Sequence, residues 1–213
     1  MRGFFRLDGP LYKYGNLIAD ILILGLLWIV FCLPIVTIGA STTAVYYVMT
    51  KRVSDKESYL LRDFWASFKS NFVTSTLANL TILAALAAVV LALRGFTVIH
   101  VSVYFFVFIE TVFITIFIYP ILSRFDMKYV QLFRVAFTMA NRHILTSLMC
   151  VVLVVLLFII SWITAGLFLI FSPGVYFYLT SRLFMRRFKK YRPELDAEEI
   201  DEENFIYQEE KNE

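Results

Sequence analysis

The sequence predicts an all-α integral membrane protein with five to six transmembrane helices and two cytoplasmic interfacial amphipathic helices. Three observations carry this. Of 213 residues, 60% are apolar, 17% aromatic and only 17% charged, whereas soluble domains run nearer 45–50% apolar and about 25% charged. The apolar residues gather in runs near the roughly 20 that span a bilayer, and the mean hydropathy is +0.73. Basic residues fill the short links between those runs. A secreted disulfide scaffold, a disordered chain and an ordinary cytosolic enzyme are excluded.

The net charge of +3 conceals two opposed regions. Residues 1–193 hold 19 Lys/Arg against 7 Asp/Glu, a balance of +12, and form a single polytopic membrane domain. Residues 194–213 hold Lys211 against ten acids, a balance of −9. That acidic tail lacks the apolar content to fold and is expected to be disordered. The positive charges follow the positive-inside rule. No basic stripe with interleaved aromatics remains for nucleic acid, so no nucleic-acid partner is expected.

Crossings are expected near 16–33, 36–50, 72–93, 98–119, 144–160 and 165–184. The first run, Asn16 to Thr50, is broken by Pro34 and Gly39, because proline removes a backbone donor and clashes with the preceding turn. Either one helix crosses and the rest lies at the surface, or two short helices form a hairpin. The first stretch exceeds the 7–15 apolar residues of a cleaved leader and no A-x-A site follows, so it is expected to be retained. Arg94-Gly95 separates 72–93 from 98–119 as a tight hairpin. The apolar run Ile144–Leu179 has 36 residues; one helix of that length would be ~54 Å, so it must turn. The turn is placed at Trp162–Gly166, with a kink at Pro173-Gly174 in the last helix; a turn at Pro173 is the competing choice.

Fifteen Lys/Arg fall on one side, which is therefore cytoplasmic. A hairpin at Pro34 leaves only Arg94 outside, whereas a single first crossing also leaves Arg2, Arg6 and Lys13 there. The rule thus favours six crossings over five, with both termini cytoplasmic.

Two linkers carry helical periodicity. Residues 60, 61, 64, 65, 68 and 72 are apolar at i, i+4 spacing, opposite Arg62, Asp63, Lys69 and Ser70. Phe64, Trp65, Phe68 and Asn71 mark this helix as a candidate partner or interface surface, and such a face suits a helix in the headgroup plane. Met127–Asn141 repeats the design. Phe64-x3-Phe68-x2-Asn71 and Phe133-x3-Phe137-x3-Asn141 each precede a crossing, and each follows a proline-bearing segment, at Pro34 and Pro120. Two copies of one unit are one reading; two unrelated loop helices are the other.

Little chemistry is available. The chain has no phosphate loop, dinucleotide fingerprint, H-E-x-x-H or nucleophile elbow. Cys32 and Cys150 lie in apolar runs, and His100 and His143 fall at opposite ends of different crossings. No cofactor, metal or catalytic residue is expected, and the chain is read as no enzyme. Glu110 stands mid-way along 98–119, where an ionisable group costs at least ~2.5 kcal/mol on insertion scales and becomes a functional hypothesis by default. Asn79 in the antiparallel neighbour is its expected partner. The pair is either a structural hydrogen bond or a proton or substrate site. The small residues Gly39, Ala40, Ser41, Thr42, Thr43 and Ala44 form a candidate helix-packing patch, with an anion site at the helix start as the alternative.

The residues Gly9-Pro10, Leu27-Trp28, the run Cys32–Ala44 with Leu33-Pro34-Ile35-Val36-Thr37-Ile38-Gly39 at its centre, and Arg62-Asp63-Phe64 through Phe68-Lys69-Ser70-Asn71-Phe72 resemble the YesL family. These are small bacterial membrane proteins of unknown biochemical function. The resemblance is specific over residues 9–72 and diffuse afterwards. Gly25 departs from the Asn of many relatives. The resemblance implies a multi-pass protein of the bacterial cell membrane whose genes neighbour those of carbohydrate uptake. The expected function is a non-enzymatic accessory or regulatory protein for an ABC-type carbohydrate importer, with the lipid bilayer and importer permease subunits as partners. A small stand-alone transporter or channel is the alternative.

Overall fold

A computed structural model describes residues 10–54, 59–92, 98–125, 127–164 and 167–191. Within them the chain forms α1 (Pro10–Cys32), a 3-10 turn (Ile35–Thr37), α2 (Ile38–Val53), α3 (Leu60–Ser70), α4 (Phe72–Ala92), α5 (Val98–Leu122), α6 (Tyr129–Arg142), α7 (Ile144–Ile163), a second 3-10 turn (Leu167–Ile170) and α8 (Ser172–Tyr191). No strand occurs among the described residues. The Arg94-Gly95 turn and the acidic tail lie outside them.

The break at Pro34 arises as proline chemistry requires. Pro34 is extended (φ −76°, ψ 119°), and the Thr37 hydroxyl closes the turn by donating to the carbonyls of Phe31 (2.6 Å) and Pro34 (2.8 Å). The chain then reverses, so α1 and α2 form the hairpin. The indole N–H of Trp28 donates to Thr42 Oγ1 at 2.9 Å, Cys32 Sγ lies 3.0 Å from Ser41 Oγ, and Arg52 pairs with Asp20.

α2 is the centre of the bundle. Ten of its 16 residues are buried, and it packs against α1, α3, α4, α5 and α8. Its small residues let backbones meet: a Cβ on Gly39 would stand 2.3 Å from the Ser75 carbonyl oxygen of α4. A second close crossing joins α8 to α1, where a Cβ on Gly174 would stand 2.1 Å from the Ile21 carbonyl oxygen and one on Gly25 2.9 Å from the Gly174 nitrogen.

The distribution of polarity suits a chain solvated by lipid. Ser41, Thr43, Ser75, Ser147, Thr180 and Ser181 are fully buried, while Leu145, Phe158, Trp162 and Ile163 of α7 stand 62–79% exposed. So large a continuous apolar surface would drive a soluble monomer to associate. In a bilayer the burden falls instead on close packing of small and hydroxyl-bearing residues inside.

Four helices are long and apolar enough to cross a membrane: Gly15–Cys32, Phe72–Leu91, Tyr104–Leu122 and Ile144–Ile163. α2, at 16 residues, is shorter than a span requires. α8 carries Arg182, Arg186 and Arg187 within its length. The run after Ile144 does turn near residue 164, but α8 begins only at Ser172. Pro173 therefore sits in the first turn, where its missing N–H costs nothing, and causes no kink mid-helix.

Candidate functional site

α2 and α3 are antiparallel, tied at their shared end by Lys51 Nζ to Asp63 Oδ2 at 3.2 Å. The same carboxylate accepts the Tyr59 backbone N–H at 3.1 Å, ordering the start of α3. Phe64 and Phe68 are buried, and Phe31 of α1 touches Phe64, Trp65 and Phe68 with ring centroids 5.3, 5.9 and 5.3 Å away. Trp65 stacks on Phe68 (5.6 Å, 4° between planes) while remaining 45% exposed. The ammonium of Lys69 lies 5.2 Å from the Trp65 ring centroid, a cation–π geometry. Asn71 donates to the Ser67 carbonyl at 3.2 Å and joins α3 to α4. The four candidate residues thus divide: Phe64 and Phe68 anchor the helix, Trp65 faces outward, and Asn71 closes the helix end.

Asn79 and Glu110 are not partners. Asn79 Nδ2 donates to the Ile35 carbonyl at 3.1 Å, and Asn79 Oδ1 accepts the Tyr119 hydroxyl at 3.1 Å. Asn79 therefore ties the Pro34 turn, α4 and α5 into one node. Glu110 Oε1 accepts a 2.6 Å bond from Asn141 Nδ2 of α6. Equal predicted depth in adjacent helices did not suffice, because α6 turns back along α5 and brings Asn141 to Glu110. Asn141 was visible in the sequence as the end of the second aromatic motif; Tyr119 carried no signal.

The six residues Gly39–Ala44 are all buried. Their hydroxyls are engaged within the hairpin: Thr43 donates to the Gly39 carbonyl at 2.9 Å, Ser41 to that of Ile38 at 3.1 Å, and Thr42 accepts from Trp28.

A cavity of about 640 Å3 lies among α1, α2, α5, α7 and the start of α8. Trp28, Tyr46, Tyr119, Leu157, Phe158 and Tyr176 are among its lining residues, none of which is charged. Among the described residues, no three His, Cys, Asp or Glu side chains cluster as a metal site.

An all-helical chain with four apolar helices of spanning length suggests a multi-pass membrane protein. The family described as "Protein of unknown function, DUF624" matches residues 21–93, from within α1 to the end of α4. No curated protein and no solved structure matches the chain.

Proposed function

We propose that this chain is a non-enzymatic accessory or regulatory protein of the bacterial cell membrane that assists an ABC-type carbohydrate importer, with α3 as the surface met by the permease subunits. The observation that carries this is the two-sidedness of α3. Phe64 and Phe68 fix the helix rigidly to Phe31, while Leu61, Arg62, Trp65 and Lys69 remain exposed on its other side. A pre-ordered helix presenting Trp and Arg is what a partner can bind with little ordering cost. The same face suits the lipid headgroup layer, where an aromatic body and a cationic tip are both accommodated.

The carbohydrate connection rests on the likeness to the YesL family: the matched family is the domain of YesL-like proteins, whose genes neighbour carbohydrate uptake systems. The Asp20–Arg52 pair favours an α1–α2 hairpin with both ends on the cytoplasmic side, together with Lys51 and Arg62. The bond from Asn141 gives the Glu110 carboxyl a structural partner, which supports a fixed scaffold.

Cross-linking of native membranes, followed by purification and identification of bound chains, tests the reading. Permease subunits recovered in fixed proportion, and lost on Trp65→Ala with Lys69→Glu, are the expected result. Recovery of this chain by itself would sink it.

Glu110 favours a second reading, a small transporter or channel. Reconstituted vesicles would then show solute flux that Glu110→Gln abolishes. Flux retained in that variant would remove Glu110 from any transport mechanism.

A further inference from the structure

The cavity among α1, α2, α5, α7 and the start of α8 is not used by the accessory function, and its chemistry is specific. At about 640 Å3 it falls within the roughly 300–1,000 Å3 of small-molecule sites. Its walls are apolar and aromatic, with hydroxyl groups at intervals and no charge.

Most of those hydroxyls are already engaged. Tyr119 donates to Asn79, Tyr46 bonds with Thr180 at 3.2 Å, and Thr42 accepts from Trp28. Thr115 donates to the Thr111 carbonyl at 2.7 Å and Ser172 to the Leu169 carbonyl at 3.0 Å. Ser161 differs. It is 3% exposed, lines the cavity, and its Oγ has no hydrogen-bond partner. Thr76, Ser147 and Ser181 also carry buried hydroxyls without a hydrogen-bond partner, but none of them lines this cavity. A buried hydroxyl without a partner carries a desolvation cost that a ligand oxygen would relieve.

We propose that this cavity binds one neutral amphiphile, with its hydrogen-bonding head group at Ser161 and its apolar body against Phe158, Leu157 and Ile116. A charged head is disfavoured, because no lining side chain could pair with it and a lone ion in such surroundings is costly. A sugar is disfavoured too: it would bring many hydroxyls to a wall with one free hydroxyl oxygen. The amphiphile comes either from the membrane, as a lipid chain with its ester oxygen, or from solution, as a lipophilic alcohol.

Tryptophan quenching tests this, because Trp28 lines the cavity and the chain has only two other tryptophans, Trp65 and Trp162. Full-length protein carrying Trp65→Phe and Trp162→Phe leaves Trp28 as the sole reporter. One arm reconstitutes it in phosphatidylcholine vesicles with increasing brominated-chain diacylglycerol. The other holds it in unlabelled vesicles and titrates a brominated long-chain alcohol. Saturable quenching in either arm supports the site, and the arm in which it occurs identifies the source. Ser161→Ala is expected to weaken the saturable component several-fold. Val154→Phe, which fills the cavity from a half-exposed position, is expected to abolish it without unfolding the bundle. Quenching that rises without saturation in both arms, or saturates equally in the Val154→Phe protein, would overturn the proposal.

Discussion

The two aromatic motifs look alike in sequence and are put to different uses. In α3, Phe64 and Phe68 are 2% and 8% exposed and lie against Phe31. In α6, Phe133 is half-buried and Phe137 is 51% exposed, while Leu132, Ala136 and Ala140 supply the buried face against α5. The asparagines differ in the same sense. The Asn71 side chain bonds to Ser67 and Ser70 at its own helix end, whereas that of Asn141 reaches across to Glu110. Both units run as a helix, a short link, an antiparallel amphipathic helix, one irregular residue and a long apolar helix. What separates them is the neighbour: α3 has α1 beside it as well as α2, and the Phe31 ring of α1 closes over the aromatic face. α6 packs on α5 and leaves its phenylalanine side open.

Substitutions at matched positions sharpen the contrast, and thermal unfolding of detergent-purified protein reads them. Phe68→Ala removes a buried ring packed on Phe31 and should cost about 3–5 kcal/mol. Phe137→Ala, the outward counterpart of Phe68, should cost under ~1 kcal/mol, so equal losses would abolish the distinction drawn here. Gly39→Ala forces a methyl group against the Ser75 carbonyl and should destabilise by about 1–3 kcal/mol. Gly15→Ala is the control within a helix, since nothing lies within 4 Å of its added carbon; it should be neutral or slightly stabilising.

Smaller effects are expected where polar groups join the units. Tyr119→Phe takes the donor from Asn79 and should cost about 1 kcal/mol, in line with hydrogen bonds between membrane helices. Glu110→Gln keeps an oxygen for Asn141 and should change stability by less than ~0.5 kcal/mol, while Glu110→Leu should lose about 1 kcal/mol. If Glu110→Gln were as damaging as Glu110→Leu, the charge itself would matter, and the transport reading would gain ground.

The four helices of spanning length, α1, α4, α5 and α7, were legible because an apolar run near bilayer length has one inexpensive conformation in lipid, a helix that satisfies its own backbone. The break at Pro34 and the helices at 60–70 and 129–142 were legible from proline chemistry and i, i+4 spacing. Polar partners were not. Asn79 and Glu110 sit in adjacent antiparallel helices, yet each bonds elsewhere, since a hydrogen bond demands matching depth and matching rotation about the helix axis, and spacing supplies only depth.

The sequence by itself determined that the chain is helical and that its outer surface is apolar. Those follow from local backbone satisfaction and composition, which need no partner. Only the tertiary structure decided that α2 lies at the centre, that Gly25 and Gly174 meet, and that Asn141 serves Glu110. It also decided that a cavity with one unpartnered hydroxyl opens beside Trp28. Those depend on how helices rotate and cross. Close packing of small residues against a neighbour's backbone settles that, and no single helix encodes it.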